Sequence, residues 1–307
     1  MKLNGFPDGH RPGSAPLDDP SLGQRIPRQC LIRLKGVFAR LKSAEHRAAN
    51  YLVSQPHQIR DCNVADVARR AGCSQATVVR LARKLGYEGF PELRADFRKL
   101  EPGSVYEEMR VINHLDARGI AARIFEASIA ALKDTLQLLD LSAYEAALAA
   151  LLRAERMAFI GIGNGAVVAH DAYLKFLRIG VTCFESADPD LQLVFACTQL
   201  RKSDVLLAIS YSGASKPLLH AIKQAREVGA VVILITNFPQ APLTRWADIV
   251  LLTAVFQKHV NREVAAKRIA QLCIVESLYV NYLIRKGAAP QKRLQQANSA
   301  LILNKIQ

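Results

Sequence analysis

Val205-Leu206-Leu207-Ala208-Ile209-Ser210-Tyr211-Ser212-Gly213-Ala214-Ser215-Lys216-Pro217 is the stretch that decides how the rest of the chain is read. Five consecutive apolar residues mark a strand buried on both faces, as in a parallel sheet. The strand runs into a turn holding three hydroxyls and a glycine, and Pro217 suits the first turn of a following helix. Such a turn aims unpaired backbone N–H groups and short hydroxyls at one point, where the positive end of the helix dipole also favours an anion. The same composition also fits an ordinary polar loop. The flanking chain has to separate a phosphate cradle from a plain connection.

Outward from this strand, further short apolar runs lie at 157–161, 181–184, 231–235 and 249–252, separated by helical stretches at 167–178, 191–200 and 217–228. The alternation predicts an α/β domain, a parallel five-stranded sheet sandwiched by helices. Ligands in that architecture sit at the C-terminal ends of the strands. Both Gly161-Ile162-Gly163-Asn164-Gly165-Ala166 and the serine-rich turn fall there. The first loop also satisfies a GxGxxA dinucleotide fingerprint, and Glu185 stands about where a ribose-binding acid belongs. Against a nicotinamide enzyme stand the second serine-rich loop and the lack of an apparent catalytic base beside it. Residues 106–152 are Ala/Leu-rich with a helical period, giving a linker helix and a helix packed on the sheet.

The chain of 307 residues is long enough for about two domains. Half of it is hydrophobic and 22% is charged, the balance of a globular protein. Its apolar runs are far shorter than the ~20 residues a bilayer span needs, and residues 1–28 lack the apolar core of a secretory signal. Residues 1–29 read as a disordered tail. Cys30, Cys62, Cys73, Cys183, Cys197 and Cys273 show no metal-ligand spacing, which predicts reduced thiols in a cytosol and no metal or cofactor. The net charge of +14 is uneven: residues 1–100 carry 18 Lys and Arg against 9 Asp and Glu. That basic third points to a polyanionic partner.

Within that third, apolar spacing over 30–52 predicts two helices, with Ser43 as an N-cap, and Asp61-Cys62-Asn63 can cap the next helix. Then comes Val64-Ala65-Asp66-Val67-Ala68-Arg69-Arg70-Ala71-Gly72-Cys73-Ser74-Gln75-Ala76-Thr77-Val78-Val79-Arg80-Leu81-Ala82-Arg83-Lys84-Leu85-Gly86. Ala68 permits close backbone approach, Gly72 tolerates the positive φ of a tight turn, and Ser74 caps a second helix whose inner face is Val78, Leu81, Ala82 and Leu85. This is the pattern of a helix-turn-helix. Ser74, Gln75, Ala76, Thr77, Arg80, Arg83 and Lys84 are the side chains expected to meet double-stranded DNA in the major groove. Arg94, Arg98 and Lys99 are further candidates for phosphate contacts.

With both halves described, the chain resembles the RpiR/MurR family of bacterial transcriptional regulators, which join a helix-turn-helix domain to a C-terminal sugar isomerase (SIS) domain. The resemblance rests on Ala68-x-x-Ala71-Gly72-Cys73-Ser74-x-Ala76-Thr77-Val78-Val79-Arg80, on Gly86-Tyr87-x-Gly89-Phe90 and on Ser210-x-Ser212-Gly213-x-Ser215. Asp188, Gln192, Pro242-Leu243 and Arg268-Ile269-Ala270-Gln271-Leu272 add to it. It implies a flavodoxin-like SIS fold, a sugar-phosphate effector held by Gly163, Asn164, Gly165, Ser210, Ser212, Gly213 and Ser215, and a homodimer or homotetramer on a DNA operator. Gly165 stands where the family usually has serine, and Ala241 replaces the serine of a Ser-Pro-Leu. The expected division is 1–29 tail, 30–104 helix-turn-helix domain, 105–140 linker, 141–290 SIS domain and 291–307 tail. The competing reading is a SIS isomerase or lyase, for which Glu185, His170, His220, His259 and Glu263 are the available acid–base groups, with no pattern that makes them catalytic.

Overall fold

In the computed structural model, residues 29–38, 41–56, 58–98, 116–255 and 265–302 are described. The tail to residue 28, Lys99, the expected boundary at 101–104, the linker before residue 116, His259 and Glu263 lie outside them.

The N-terminal unit is helical. Helices α1 (Gln29–Val37) and α2 (Ser43–Ser54) are the two expected from apolar spacing, but the N-cap of α2 is Lys42 rather than Ser43. The reason is Glu45, whose carboxylate reaches back to accept the Lys42 N–H at 3.0 Å. Helix α3 (Val64–Ala71) starts at Asn63, whose Oδ1 accepts the Asp66 N–H, and ends at Gly72 with φ +63°. A side chain there would be strained, so glycine sets the tight turn. Ser74 then caps α4 (Gln75–Lys84), and α5 (Phe90–Arg98) closes the unit. Leu34, Leu52, Ile59, Val67, Val78, Leu81, Leu93 and Phe97 fill a common core. Asp96 is buried beside it and stays satisfied by accepting the Cys30 N–H at 3.0 Å and the Tyr87 O–H at 2.7 Å.

Helix α6 (Ala117–Leu138) leads to α7 (Leu141–Arg153), capped by Asp140. The α/β unit follows as β1 (Arg156–Gly161), α8 (Asn164–Arg178), β2 (Thr182–Ser186), α9 (Pro189–Thr198), β3 (Val205–Ile209), α10 (Lys216–Glu227), β4 (Val231–Thr236), β5 (Ile249–Leu252) and α11 (Ala265–Lys286). All pairings are parallel, in the order β2-β1-β3-β4-β5. Alternation along β3 shows why its sequence is apolar throughout. Val205, Leu207 and Ile209 face a core with α7, α8 and α11, while Leu206 and Ala208 face a second core with α9 and α10.

Residues 291–307, expected to be a tail, carry helix from 291 to 302 as part of α12 (Ala288–Ile302). It packs on the domain through Leu294, through Arg293, which donates to the Gly180 carbonyl at 2.8 Å, and through Asn298, which accepts from Arg178 at 2.6 Å. Among the described residues no single helix is long and apolar enough to cross a membrane.

The helical head rests against the α/β unit through α1. Lys35, only 3% exposed, donates to the carbonyls of Asn237 at 2.9 Å and Thr253 at 3.5 Å. Ile32 packs with Leu138 and Ala254. Asn50 reaches Gln240 at 3.4 Å, and Gln240 also bonds His46. A cleft of about 350 Å³ lies along this seam, lined by Lys35, Phe38 and Asn50 of the head and by Ser212, Gln240 and Ala241 of the α/β unit.

Candidate functional site

From β1 the chain turns one way to β2, then crosses back to β3 on the other side of β1. The loops leaving β1 and β3 therefore diverge and open a crevice at the C-terminal edge, the place where such sheets bind ligands. Both glycine/serine segments flank it. The strand order also corrects the dinucleotide reading, because the five-stranded 2-1-3-4-5 order departs from the six-stranded order of dinucleotide folds.

One wall is shorter than the sequence implied. Gly163, at φ +58°, is the N-cap of α8, so Asn164 and Gly165 already form its first turn. The Gly165 and Ala166 N–H groups are taken by the Ile162 and Gly163 carbonyls, each at 3.1 Å. A Cβ at Gly165 would overlap the Ile209 carbonyl oxygen. The missing serine is thus a packing requirement where α8 crosses β3. Gln192 braces the same wall by donating to the carbonyls of Gly161 at 2.8 Å and Ser186 at 2.5 Å. Its own Oε1 is buried without a partner, a state that costs about 1–3 kcal/mol unless something donates to it.

On the other wall Ser210 is buried, and its hydroxyl accepts the Gly213 N–H at 3.2 Å. Ser212 is exposed and accepts the Ala214 N–H at 3.3 Å. Gly213, at φ +59°, lies where a Cβ would overlap that of Ala241, so the alanine at 241 and the glycine at 213 fit each other. Ser215 is the N-cap of α10 without a capping side-chain bond, which leaves its hydroxyl beside the first N–H groups of the helix. The β3 wall is tied to what lies behind it by Tyr211 and Asn237. The Tyr211 carbonyl accepts the Asn237 N–H at 3.0 Å, its hydroxyl accepts from Asn237 Nδ2 at 3.3 Å, and burial pushes its phenol up to about 12. The acid–base candidates do not gather here as a set: His170 and Glu185 meet at 3.0 Å beside the edge strand β2, and His220 is exposed on α10.

The helix-turn-helix geometry is as its sequence signals require, with two corrections. Thr77, expected on the exposed face, is 4% exposed, and its hydroxyl lies 2.9 Å from that of Ser74, whose Oγ also caps the Thr77 N–H. Arg80 and Lys84 are exposed but not free, because both hold Glu45 of α2, at 3.1 and 2.7 Å. The carboxyl of Glu45 is 1% exposed and held below its ordinary range chiefly by the Lys84 hydrogen bond. Arg83 donates to the Glu88 carbonyl at 3.3 Å. Gln75 and Ala76 remain as exposed side chains of the first turn of α4. Arg94 and Arg98, expected to contact phosphate, donate to the Cys62 and Arg60 carbonyls at 3.2 and 2.8 Å and pin the turn before α3.

A helix-turn-helix head joined by a helix to a SIS-type α/β domain defines a class of DNA-binding transcriptional regulators. Residues 29–100 match the helix-turn-helix domain of the rpiR family and residues 150–281 match the SIS domain. The chain is 31% identical over 271 residues to an uncharacterised helix-turn-helix transcriptional regulator of Caldanaerobacter subterraneus, covering 86% of this chain and 93% of that one. It is 30% identical over 272 residues to the transcriptional regulator HexR of Escherichia coli, covering 88% and 93% respectively. Vibrio vulnificus NanR, solved in complex with ManNAc-6P, shares the fold at a TM-score of 0.59 and 22% identity over 91% of this chain and 100% of that one. The chain belongs to the RpiR family of transcriptional regulators.

Proposed function

We propose that this regulator binds a DNA operator through α4 and that a sugar phosphate in the crevice between the β1 and β3 loops sets its operator affinity, without turning the sugar over. The observation that carries this reading is the pairing, in one chain, of a helix-turn-helix with a hydroxyl- and glycine-lined crevice at a topological switch point. NanR binds ManNAc-6P on the same fold, which makes N-acetylhexosamine and hexose 6-phosphates the first ligands to try. The phosphate takes the hydroxyls of Ser210, Ser212 and Ser215 and the N-terminal N–H groups of α10, with Gly213 letting the backbone approach. Gly163, Asn164 and Gly165 form the opposite wall.

A ligand shifts operator affinity only through different affinities for two arrangements of the heads. The Lys35 seam, which joins the head to Asn237 behind the cradle, is the element that takes two positions in this reading. A two-fold homo-oligomer is part of it, consistent with the exposed Ile120, Ile124, Ile129 and Phe125 of α6, the last 71% exposed. Such an assembly predicts inverted half-sites about one helical turn apart.

Thermal shift with a panel of sugar phosphates, ManNAc-6P included, tests the reading, since a ligand at 100 times its Kd stabilises by about 2.7 kcal/mol. The expected result is a hit that disappears in the Ser210→Ala, Ser212→Ala double variant. A wild-type chain unmoved by every member, or a double variant that keeps the full shift, overturns it.

A further inference from the structure

The two walls of the crevice share a shortage. Gly163, Asn164, Gly165, Ser210, Ser212, Gly213 and Ser215 offer hydroxyls, an amide and backbone groups, and none of them carries a charge at neutral pH. A sugar monophosphate brings a charge of about −1.5 to −2. Neutral donors and a helix N-terminus offset part of it, yet tight phosphate sites ordinarily add a cation, for which a planar guanidinium is well suited.

The first described turn of α11 supplies such groups. Arg268 donates from Nη1 to the Asn164 side chain at 2.6 Å, so its guanidinium stands at the β1 wall. The preceding residue, Lys267, holds its ammonium 4.4 Å from the centre of the Tyr211 ring, at the β3 wall. Tyr211 in turn packs with Ala266 and Ala270 of α11, Val255 and Ala131 of α6. Adjacent residues of one helix thus reach both walls, and that helix is packed against the linker helix. Arg268 is half-buried, which lowers the local screening and strengthens a charge contact relative to one in open water. Its partner Asn164 is a neutral amide, so the guanidinium keeps its full charge and its remaining N–H donors for an anion.

We propose that Arg268 is an effector-binding residue, supplying from α11 the countercharge for the phosphorylated ligand that the β1 and β3 loops lack. This inference rests on the crevice being the sugar-phosphate site. Asn164 orients the guanidinium at the crevice, and the ligand's anionic group takes up the remaining donors. Because α11 packs on α6, a contact made at Arg268 is also felt by the helix that leads to the head.

The test uses the full chain and the sugar phosphate that gives the largest thermal shift in the panel, with inorganic phosphate as a competitor. Kd is measured at several salt concentrations for wild type, Arg268→Gln, Arg268→Lys and, as a comparator, Lys216→Gln, an exposed cation at the start of α10. Arg268→Gln is expected to weaken binding about 10- to 100-fold, the range of a charge-assisted hydrogen bond. It should also flatten the salt dependence, while Arg268→Lys keeps the slope and loses less affinity. Neither change follows from loss of packing alone, and the lysine variant serves where the glutamine variant does not fold. If Arg268→Gln binds with wild-type Kd and slope, or if the salt dependence disappears in Lys216→Gln instead, Arg268 is not the countercharge. A wild-type chain that binds no sugar phosphate, or that binds one equally well without Ser210 and Ser212 hydroxyls, removes the crevice reading itself and this inference with it.

Discussion

Glu45 shows how a residue that no motif marks can set the terms for those that one does. Its carboxylate is buried between α2 and α4, caps its own helix and holds Arg80 and Lys84. Nothing in the sequence joins it to residues 35 and 39 positions later. Its folded-state pKa lies below its ordinary value, chiefly through the Lys84 hydrogen bond. The stability it contributes is therefore complete above the ordinary Glu range and is lost as pH falls through the lowered folded value. Glu45→Gln is expected to cost the head about 1–3 kcal/mol at neutral pH. The acid limb of its stability profile should flatten as well, which denaturant melts between pH 3 and pH 7, following the helical signal, will read. An unchanged acid limb would mean that other carboxylates govern it.

At the scale of the element, the proposed recognition helix α4 presents two kinds of side chain along its length. Gln75 is exposed in the first turn, where base edges are read, while Arg80 sits a turn and a half later with Glu45 as its anchor. Gln75→Ala should therefore cost about 1–3 kcal/mol on a selected duplex and little on a random one, whereas Arg80→Ala should weaken both alike. Binding titrations on the two duplexes decide, and equal losses for Gln75→Ala would move base reading elsewhere. The helix itself was legible in sequence because Gly72, Ser74 and the apolar spacing of Val78, Leu81 and Leu85 are local signals. The strands were legible because burial on both faces leaves continuous apolar runs. Other features were hidden for equally physical reasons. Thr77 turns inward because its hydroxyl bonds Ser74, Gly165 is glycine because α8 crosses the Ile209 carbonyl, and the polar residues from 291 onward read as a tail. The crevice was legible as two loops. Its third side, α11, was not, since Arg268 meets Asn164 across 104 residues of chain.

The molecule as a whole depends on how the head is held, and there the deciding group is Lys35, which meets Asn237 across 202 residues. Burial lowers its pKa from 10.5 to about 7, against the pull of the Asp134 carboxylate on α6. In the undocked or unfolded head the ammonium returns to water and to its ordinary value. Between about pH 7 and 10.5 the docked state thus binds fewer protons than the undocked one, so docking strengthens as pH rises through that window. Below pH 7 both states are protonated and the cost of the buried charge is fully present. For one proton the docking constant changes at most tenfold per pH unit. Lys35→Met removes the titration and leaves the Asn237 and Thr253 carbonyls without their donor and Asp134 without its cation, an expected loss of about 1–3 kcal/mol. Hydrogen exchange across α1 between pH 7 and 9 should show protection rising with pH in the wild type, after correction for the intrinsic rate, and staying level in Lys35→Met. The same variant bears on the proposed effector response, because Asn237 also holds Tyr211 of the proposed cradle. If the seam carries the signal, the ratio of operator affinities with and without the sugar phosphate moves toward one in Lys35→Met while the ligand still binds. A full ratio in that variant assigns the coupling to α6 instead.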